Sequence, residues 1–227
     1  MSNIIRLENI TKSYRIGIED YVALKGITMN VERGEFVAIM GPSGSGKSTT
    51  MHVIGCLDIP TSGKYILNDK DVSTMTDTEL AHVRNQEIGF IFQSFNLLPR
   101  LSVLENVLLP FAYSPIPIKD QKDRANNALE LVGLKDKMNN RPNQLSGGQI
   151  QRTAIARSLV MKPAIILADE PTGNLDSKTS HEVMQALVSI HEEGNTVILV
   201  THEDDIAKFA KRIIRLKDGL VVSENEK

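Results

Sequence analysis

Four short runs along the chain are apolar at nearly every position: FVAIM (36–40), IGFIF (88–92), AIILA (164–168) and TVILV (196–200). They are rich in β-branched or aromatic residues and show no in–out alternation. That pattern suits central strands of a parallel sheet covered by helices on both faces. Each run stops against a polar residue or a glycine loop: Gly41, Gln93, Asp169 with Glu170, and Thr201 with His202. In open α/β sheets ligands bind beyond the carboxyl ends of the strands. The pattern therefore predicts an α/β fold with Gly41 to Ser48, Gln93, Asp169, Glu170 and His202 along one rim.

Between the second and third runs the period changes. QKDRANNALELVGL (121–134) reads as an amphipathic helix, bounded by the loop clusters YSPIPIKD (113–120) and KDKMNNRPN (135–143). A mostly helical lobe over 94–156 is expected, inserted into a framework formed by 1–93 and 157–227 of a single 1–227 domain. The tail KDGLVVSENEK reads as a turn, a short strand and a frayed end.

Composition narrows the picture. With 227 residues, 41% of them hydrophobic, the chain can bury a substantial core. Lys plus Arg number 26 against 28 Asp plus Glu, a balance that gives no electrostatic footprint for nucleic acid. The single Cys56 cannot form an internal disulfide and fits a reducing compartment and a packing role. The start MSNIIRLENI lacks the basic head and apolar segment of a signal peptide, and no apolar run approaches the roughly 18–20 residues that span a bilayer. A cytoplasmic chain is expected, reaching the inner face of a membrane only through another subunit. His52, His82, His181 and His191 have no metal-ligand company.

The strongest chemical signal is Gly41-Pro42-Ser43-Gly44-Ser45-Gly46-Lys47-Ser48, a complete phosphate-loop pattern between a predicted strand and the predicted helix STTMHVIGCL. Gly44 and Gly46 let backbone N–H groups turn inward, and the helix aims its positive end at the same anion. Lys47 is expected to reach the β- and γ-phosphates and the Ser48 hydroxyl to ligate Mg²⁺. In AIILADEP, Asp169 reads as a direct or second-sphere partner of Mg²⁺, and Glu170 as the general base for an attacking water. A second glycine loop, NQLSGGQIQR (143–152), lies about a hundred residues downstream. Ser146 and the N–H groups of Gly147 and Gly148 form a second anion nest before another predicted helix.

Together, GPSGSGKS, LSGGQ (Leu145 to Gln149), IILADEPTGNLDS, the strand-end Gln93 and LVTHE with His202 resemble the ATP-binding-cassette ATPases across essentially the whole chain. The resemblance implies a P-loop NTPase core with a mostly parallel sheet, an N-terminal antiparallel β portion and an inserted α-helical subdomain bearing the signature. It implies ATP hydrolysis with Mg²⁺, in a dimer where the phosphate loop of one copy faces Ser146, Gly147, Gly148 and Gln149 of the other. The phosphate-binding set then runs from Gly41 to Thr49. Tyr14 matches the aromatic that stacks on adenine, Gln93 the residue that senses Mg²⁺ and the attacking water, and His202 the γ-phosphate contact. Asp176 matches a position at the dimer interface, but also reads as a helix cap before SKTSHEVM.

Within the family the chain is most similar to the ATPases of MacB-type exporters and of LolD- or FtsE-type subunits. That likeness implies a membrane permease with few spans and a large extracytoplasmic domain, driven in export or mechanotransmission of a drug, peptide or lipoprotein. A regulatory ATPase controlling an envelope hydrolase and a soluble non-transport ATPase stay open as alternatives. So does the choice between a stand-alone subunit and a piece of a longer chain. The leucine-dense SFNLLPRLSVLENVLLP suggests a groove for a short helix of the permease, with Phe95, Leu97, Leu98 and Leu101 as candidate lining. Ile150 departs from the family, where a polar residue is common, but follows the nest.

Overall fold

The computed structural model describes residues 2–114 and 116–226, with backbone alone for Ile16 and Glu226. Pro115, in the predicted loop 113–120, and Lys227, at the predicted frayed end, lie outside the described residues.

β1 (Asn3–Ile16) and β2 (Glu19–Glu32) form a long antiparallel hairpin. β3 (Phe36–Met40) then leads through the phosphate loop into α1 (Lys47–Ile54). β4 (Ser62–Leu67) and β5 (Lys70–Asp71) return to the hairpin, giving an antiparallel sheet of order β2-β1-β4-β5. α2 (Asp77–Glu87) precedes β6 (Ile88–Phe92). α3 (Val103–Leu108), α4 (Ile118–Leu131) and α5 (Gly147–Leu159) follow, then β7 (Ile165–Asp169). α6 (Ser177–Glu192), β8 (Thr196–Thr201), α7 (Asp204–Ala207), β9 (Arg212–Lys217) and β10 (Leu220–Glu226) complete the chain. The second sheet has the order β10-β9-β3-β8-β7-β6, parallel from β9 to β6, with β10 antiparallel at one edge.

The four runs predicted as strands are β3, β6, β7 and β8. The reason they lack alternation is visible in β3. Val37 and Ile39 enter the core shared with β1, β2, β4 and α1, while Phe36, Ala38 and Met40 enter the core under the helices. Both faces are apolar because both are covered, each buried large side chain contributing about 1.5–3 kcal/mol. Cys56 lies in the first core, and burial pushes its thiol up to about 12, so it packs as an unreactive thiol.

Helix starts follow local chemistry. Thr76–Glu79, Ser102–Glu105 and Ser146–Gln149 each form a reciprocal capping box at the first turn of α2, α3 and α5. The amphipathic helix expected from Gln121 begins earlier, at Ile118 behind Pro117, which fixes the entry of the chain. α3, α4 and α5 pack on one another, and α5 also packs on β6. α5 runs unbroken to Leu159, across the position where the helical lobe and the framework were expected to meet.

Register brings the strand ends together. Met40 pairs with Thr201, Val200 with Asp169, and Asp169 with Phe92. The residues that follow those ends therefore emerge along one rim.

Candidate functional site

The phosphate loop leaves β3 at Gly41, where a Cβ would come within 2.3 Å of the Leu216 carbonyl oxygen and 2.5 Å of Ser45 Oγ. Gly46 caps α1 in the left-handed region at φ 99°, with no side-chain hydrogen bond to the first turn and no acidic residue in it. The first-turn N–H groups and the helix dipole thus remain available to an anion. Ser45 is buried with its Oγ unpartnered. The Lys47 ammonium arches back over the loop, donating to the Gly41 carbonyl at 2.7 Å and the Pro42 carbonyl at 3.0 Å. Ser43, Gly44 and Ser48 are exposed, and Thr49 is half-buried. This cradle suits a polyphosphate.

Tyr14, on β1, is brought beside Thr49 at the start of α1. Its hydroxyl donates to Asp58 Oδ2 at 2.9 Å, while Lys12 donates to Asp58 Oδ1 at 2.5 Å and lies 5.1 Å from the Tyr14 ring centre. Burial pushes the Asp58 carboxyl up, but the hydrogen bonds from Lys12 and Tyr14 outweigh it and leave the group below its ordinary value. An aromatic ring held at a fixed tilt beside the phosphate cradle can stack on a flat base.

At the ends of β7 and β8 stands an acidic pair. Burial and then the Glu170 charge raise the Asp169 carboxyl above its ordinary value, partly countered by His52 and Lys47. Glu170 occupies the left-handed region at φ 44°, its backbone N–H donating to the Val200 carbonyl at 2.9 Å. Glu170 Oε2 accepts from Thr201 Oγ1 at 3.2 Å, and Oε1 accepts from the His202 backbone N–H at 3.1 Å. His202 Nδ1 completes the set at 2.6 Å from Oε1.

Gln93 follows β6 on the neighbouring strand end. Its Nε2 would be 2.6 Å from a Cβ at Gly173, so its side chain lies against the turn that leaves Glu170. Asn174 Nδ2 donates to the Gln93 carbonyl at 3.0 Å. The predicted rim residues Lys47, Gln93, Asp169, Glu170 and His202 therefore gather at adjoining strand ends, with Tyr14 alongside.

Among the described residues no hydrogen bond joins 145–149 to 41–49. Ser146 caps α5, its Oγ accepting from the Gln149 N–H at 3.3 Å, which leaves the N–H groups of Gly147 and Gly148 for other partners. A Cβ at Gly148 would meet Thr179 Cγ2 at 2.4 Å, so this turn packs closely on the start of α6. Asp176 caps α6, its carboxylate accepting from Thr179 Oγ1 at 2.6 Å and from the Thr179 N–H at 3.1 Å.

Beyond Gln93 an apolar groove of about 730 Å³ opens between α2, β6, α5 and the turn at 109–113. Leu57, Phe90, Phe92, Pro110, Tyr113 and Met161 line it, with Arg84, Arg157 and His82 and no carboxylate. Of the stretch 94–110, Asn96, Leu109 and Pro110 line it, while Phe95, Leu97, Leu98 and Leu101, the lining expected from the sequence, do not. Left-handed backbone at Phe95 and Asn96 turns the stretch away, and Arg157 pins both carbonyls, at 2.9 and 2.5 Å.

Sequence reasoning missed Lys12, Asp58, Asn174 and Gln151. Asn174 and Gln151 lie inside motifs that give them no role, and Lys12 and Asp58 lie outside them; their part is to hold a site residue or the backbone beside it.

The sequence profile of the ABC transporter family matches residues 24–173. The chain is 54% identical to the macrolide export ATP-binding/permease protein MacB of Chlorobaculum tepidum, over 99% of this chain but only 34% of that protein. It thus spans about a third of the MacB relatives it matches. It is equally 54% identical, over 96% of this chain and 95% of the other, to an uncharacterized ABC transporter ATP-binding protein, YknY, of Bacillus subtilis. Among solved structures, the dimeric post-hydrolysis state of the ATP-binding cassette MJ0796, bound to ADP and Pi, superposes with a TM-score of 0.88 at 48% identity, covering 98% of each chain. The protein of that name comes from Methanocaldococcus jannaschii. No described helix is long and apolar enough to cross a membrane. With the phosphate cradle, the acidic strand ends and the separate signature loop all on one framework, the chain belongs to the ABC transporter family as an ATP-binding cassette.

Proposed function

We propose that two copies of this cassette close on two ATP molecules, hydrolyse them, and use the closure to drive a membrane permease. The observation that carries the reading is the Glu170 carboxylate, held by Thr201 and His202 next to Asp169, whose own carboxyl feels the Lys47 charge. Tyr14 stacks on adenine, and residues 41–49 wrap the phosphates with Lys47 neutralising the β- and γ-oxygens. Glu170 takes a proton from the water that attacks the γ-phosphorus, while Gln93 and His202 orient that water and the terminal phosphate. The new P–O bond forms as the β–γ bridge breaks, releasing ADP and phosphate.

Among the described residues no group of three or more His, Cys, Asp or Glu could hold a cation alone. Ser48, Asp169 and Gln93 are the residues that would hold Mg²⁺ together with phosphate oxygens. Bound there, the ion neutralises charge on the terminal phosphates.

Ser146, Gly147, Gly148 and Gln149 serve the nucleotide of the opposite copy, supported by the lack, among the described residues, of any hydrogen bond between them and the chain's own cradle. Asp176 approaches the interface while capping α6. The helical segment 94–156 is the part that meets the permease, and the groove beside β6 receives a short apolar segment of it. The MacB relatives carry the name of macrolide export ATP-binding/permease proteins, which supports a permease partner. We assign that partner few spans and a large extracytoplasmic domain, and have it hold the cassette at the inner face of the membrane in export or mechanotransmission of a drug, peptide or lipoprotein.

The test is Glu170→Gln in saturating Mg·ATP. It should abolish turnover and accumulate dimers by light scattering; a strictly monomeric variant would overturn the reading.

A further inference from the structure

Gln151, on α5, is a polar side chain with no solvent exposure. Its Nε2 donates to the Pro171 carbonyl at 2.7 Å and, more weakly, to the Phe92 carbonyl at 3.4 Å. Phe92 closes β6 immediately before Gln93, and Pro171 immediately follows Glu170. The two strands are neighbours, with Phe92 and Asp169 in register. One carboxamide therefore bridges the two segments that carry Gln93 and Glu170 away from the rim.

The remaining amide oxygen, Oε1, is buried without a partner. An unpaired buried acceptor carries a desolvation cost that leucine or methionine would not. The donor end must matter to the surroundings, and the surroundings are strained. Glu170 holds φ 44° in a region unfavourable to a glutamate. Its own backbone is fixed by hydrogen bonds to the Val200 carbonyl and from the Gly173 N–H, at 2.9 and 3.1 Å. The Pro171 carbonyl between them is fixed by Gln151.

We propose that Gln151 is a positioning residue for hydrolysis: its amide sets the spacing of the Gln93 and Glu170 segments and so aims the Glu170 carboxylate. The role rests on Glu170 being the base, as read above. Gln151 lies in the second turn of the helix whose first turn carries the signature loop, so the amide stands between that loop and the rim of its own chain.

The test compares Gln151→Leu, Gln151→Glu and Glu170→Gln in the full chain, with Mg·ATP. Gln151→Leu should lower kcat by about 10- to 100-fold, as small misplacements of a reacting group do, while the KM for ATP stays within about threefold. A buried carboxyl at 151 has a raised pKa. While neutral, its O–H can donate to the Pro171 carbonyl; once ionised, it has no donor. The kcat of Gln151→Glu per folded molecule, with folding followed by circular dichroism at each pH, should therefore fall relative to the parent chain as pH rises, with the KM for ATP unchanged; a packing role would instead show as lost folded fraction. A Gln151→Leu kcat within twofold of the parent, or a flat Gln151→Glu ratio across pH, overturns the proposal. If Gln151→Leu fails to fold, the Gln151→Glu ratio decides. Parental turnover in Glu170→Gln would overturn the base assignment first and Gln151's role with it; an inactive Glu170→Gln beside a normal Gln151→Leu would sink Gln151 alone.

Discussion

His202 Nδ1 lies 2.6 Å from Glu170 Oε1, and the His202 backbone N–H donates to the same oxygen. The pair is lopsided: the imidazole is 64% exposed and the carboxylate 15%. The Glu170 hydrogen bond, then its charge, raises the His202 pKa above the ordinary histidine value. A group raised on folding contributes stability fully below its unfolded value near 6.5, and loses it as pH rises through the folded value. His202 should therefore titrate above a free histidine by NMR. In Glu170→Gln its pKa should drop towards the free value, and unfolding should become less pH-dependent above neutrality. An unchanged His202 titration in that variant would show that the carboxylate does not hold the ring.

Tyr14 gains its orientation from outside its own motif. Asp58 ties the Tyr14 hydroxyl on one oxygen and the Lys12 ammonium on the other. Base–aromatic stacking is worth about 1–3 kcal/mol by alanine substitution. Tyr14→Ala should weaken ATP binding by about 10-fold or more. Asp58→Ala should weaken it about two- to fivefold, with the ring intact but no longer tethered. Both are read by equilibrium titration with a fluorescent ATP analogue. Equal affinity for Asp58→Ala and the parent chain would make the tether incidental.

The strand ends were legible because burial on both faces writes an unbroken apolar run, and because each run stops at a residue too polar to continue. FVAIM, IGFIF, AIILA and TVILV gave four of the five parallel strands of the sheet. The fifth, β9, alternates as RIIRLK, with Arg212 buried against Glu35 and Glu224, and so carries no such signature. The groove lining was read only in part for a related reason: Asn96, Leu109 and Pro110 of the leucine-dense stretch line it, but the four residues singled out do not. Phe95, Leu97 and Leu98 are apolar in sequence, but left-handed backbone at Phe95 and Asn96 and the grip of Arg157 turn that stretch aside. Long-range hydrogen bonds of this kind, like those of Gln151 and Asp58, have no local pattern from which to be read.

The groove makes its own prediction. Leu57 and Tyr113 line it and are 47% and 84% exposed, so each tolerates charge without disturbing the core. Leu57→Asp and Tyr113→Asp should leave basal ATP hydrolysis within about twofold, as surface changes do. Both should lose binding to native membranes stripped of peripheral proteins, measured by co-sedimentation. Leu98→Asp, outside the groove, should keep that binding. Loss of membrane binding in Leu98→Asp and retention in the groove variants would place the contact elsewhere.

Gly89 joins the fold to the site more directly than its position suggests. It lies in β6 where α5 crosses, and a Cβ there would come within 2.4 Å of the Ser158 carbonyl oxygen and 3.1 Å of Pro163 Cγ. The obstacle is backbone, so relief requires α5 to shift away from β6. Overpacking of this kind costs about 1–3 kcal/mol, which for a chain of this size lowers the melting temperature by very roughly 2–12 °C. The same shift would draw Gln151, two turns earlier on α5, away from the Phe92 and Pro171 carbonyls. Gly89→Ala should therefore lose kcat in the fraction that remains folded, well below its melting temperature, while a stability effect alone would leave kcat per folded molecule unchanged. Scanning calorimetry beside turnover normalised to nucleotide-binding sites separates the two.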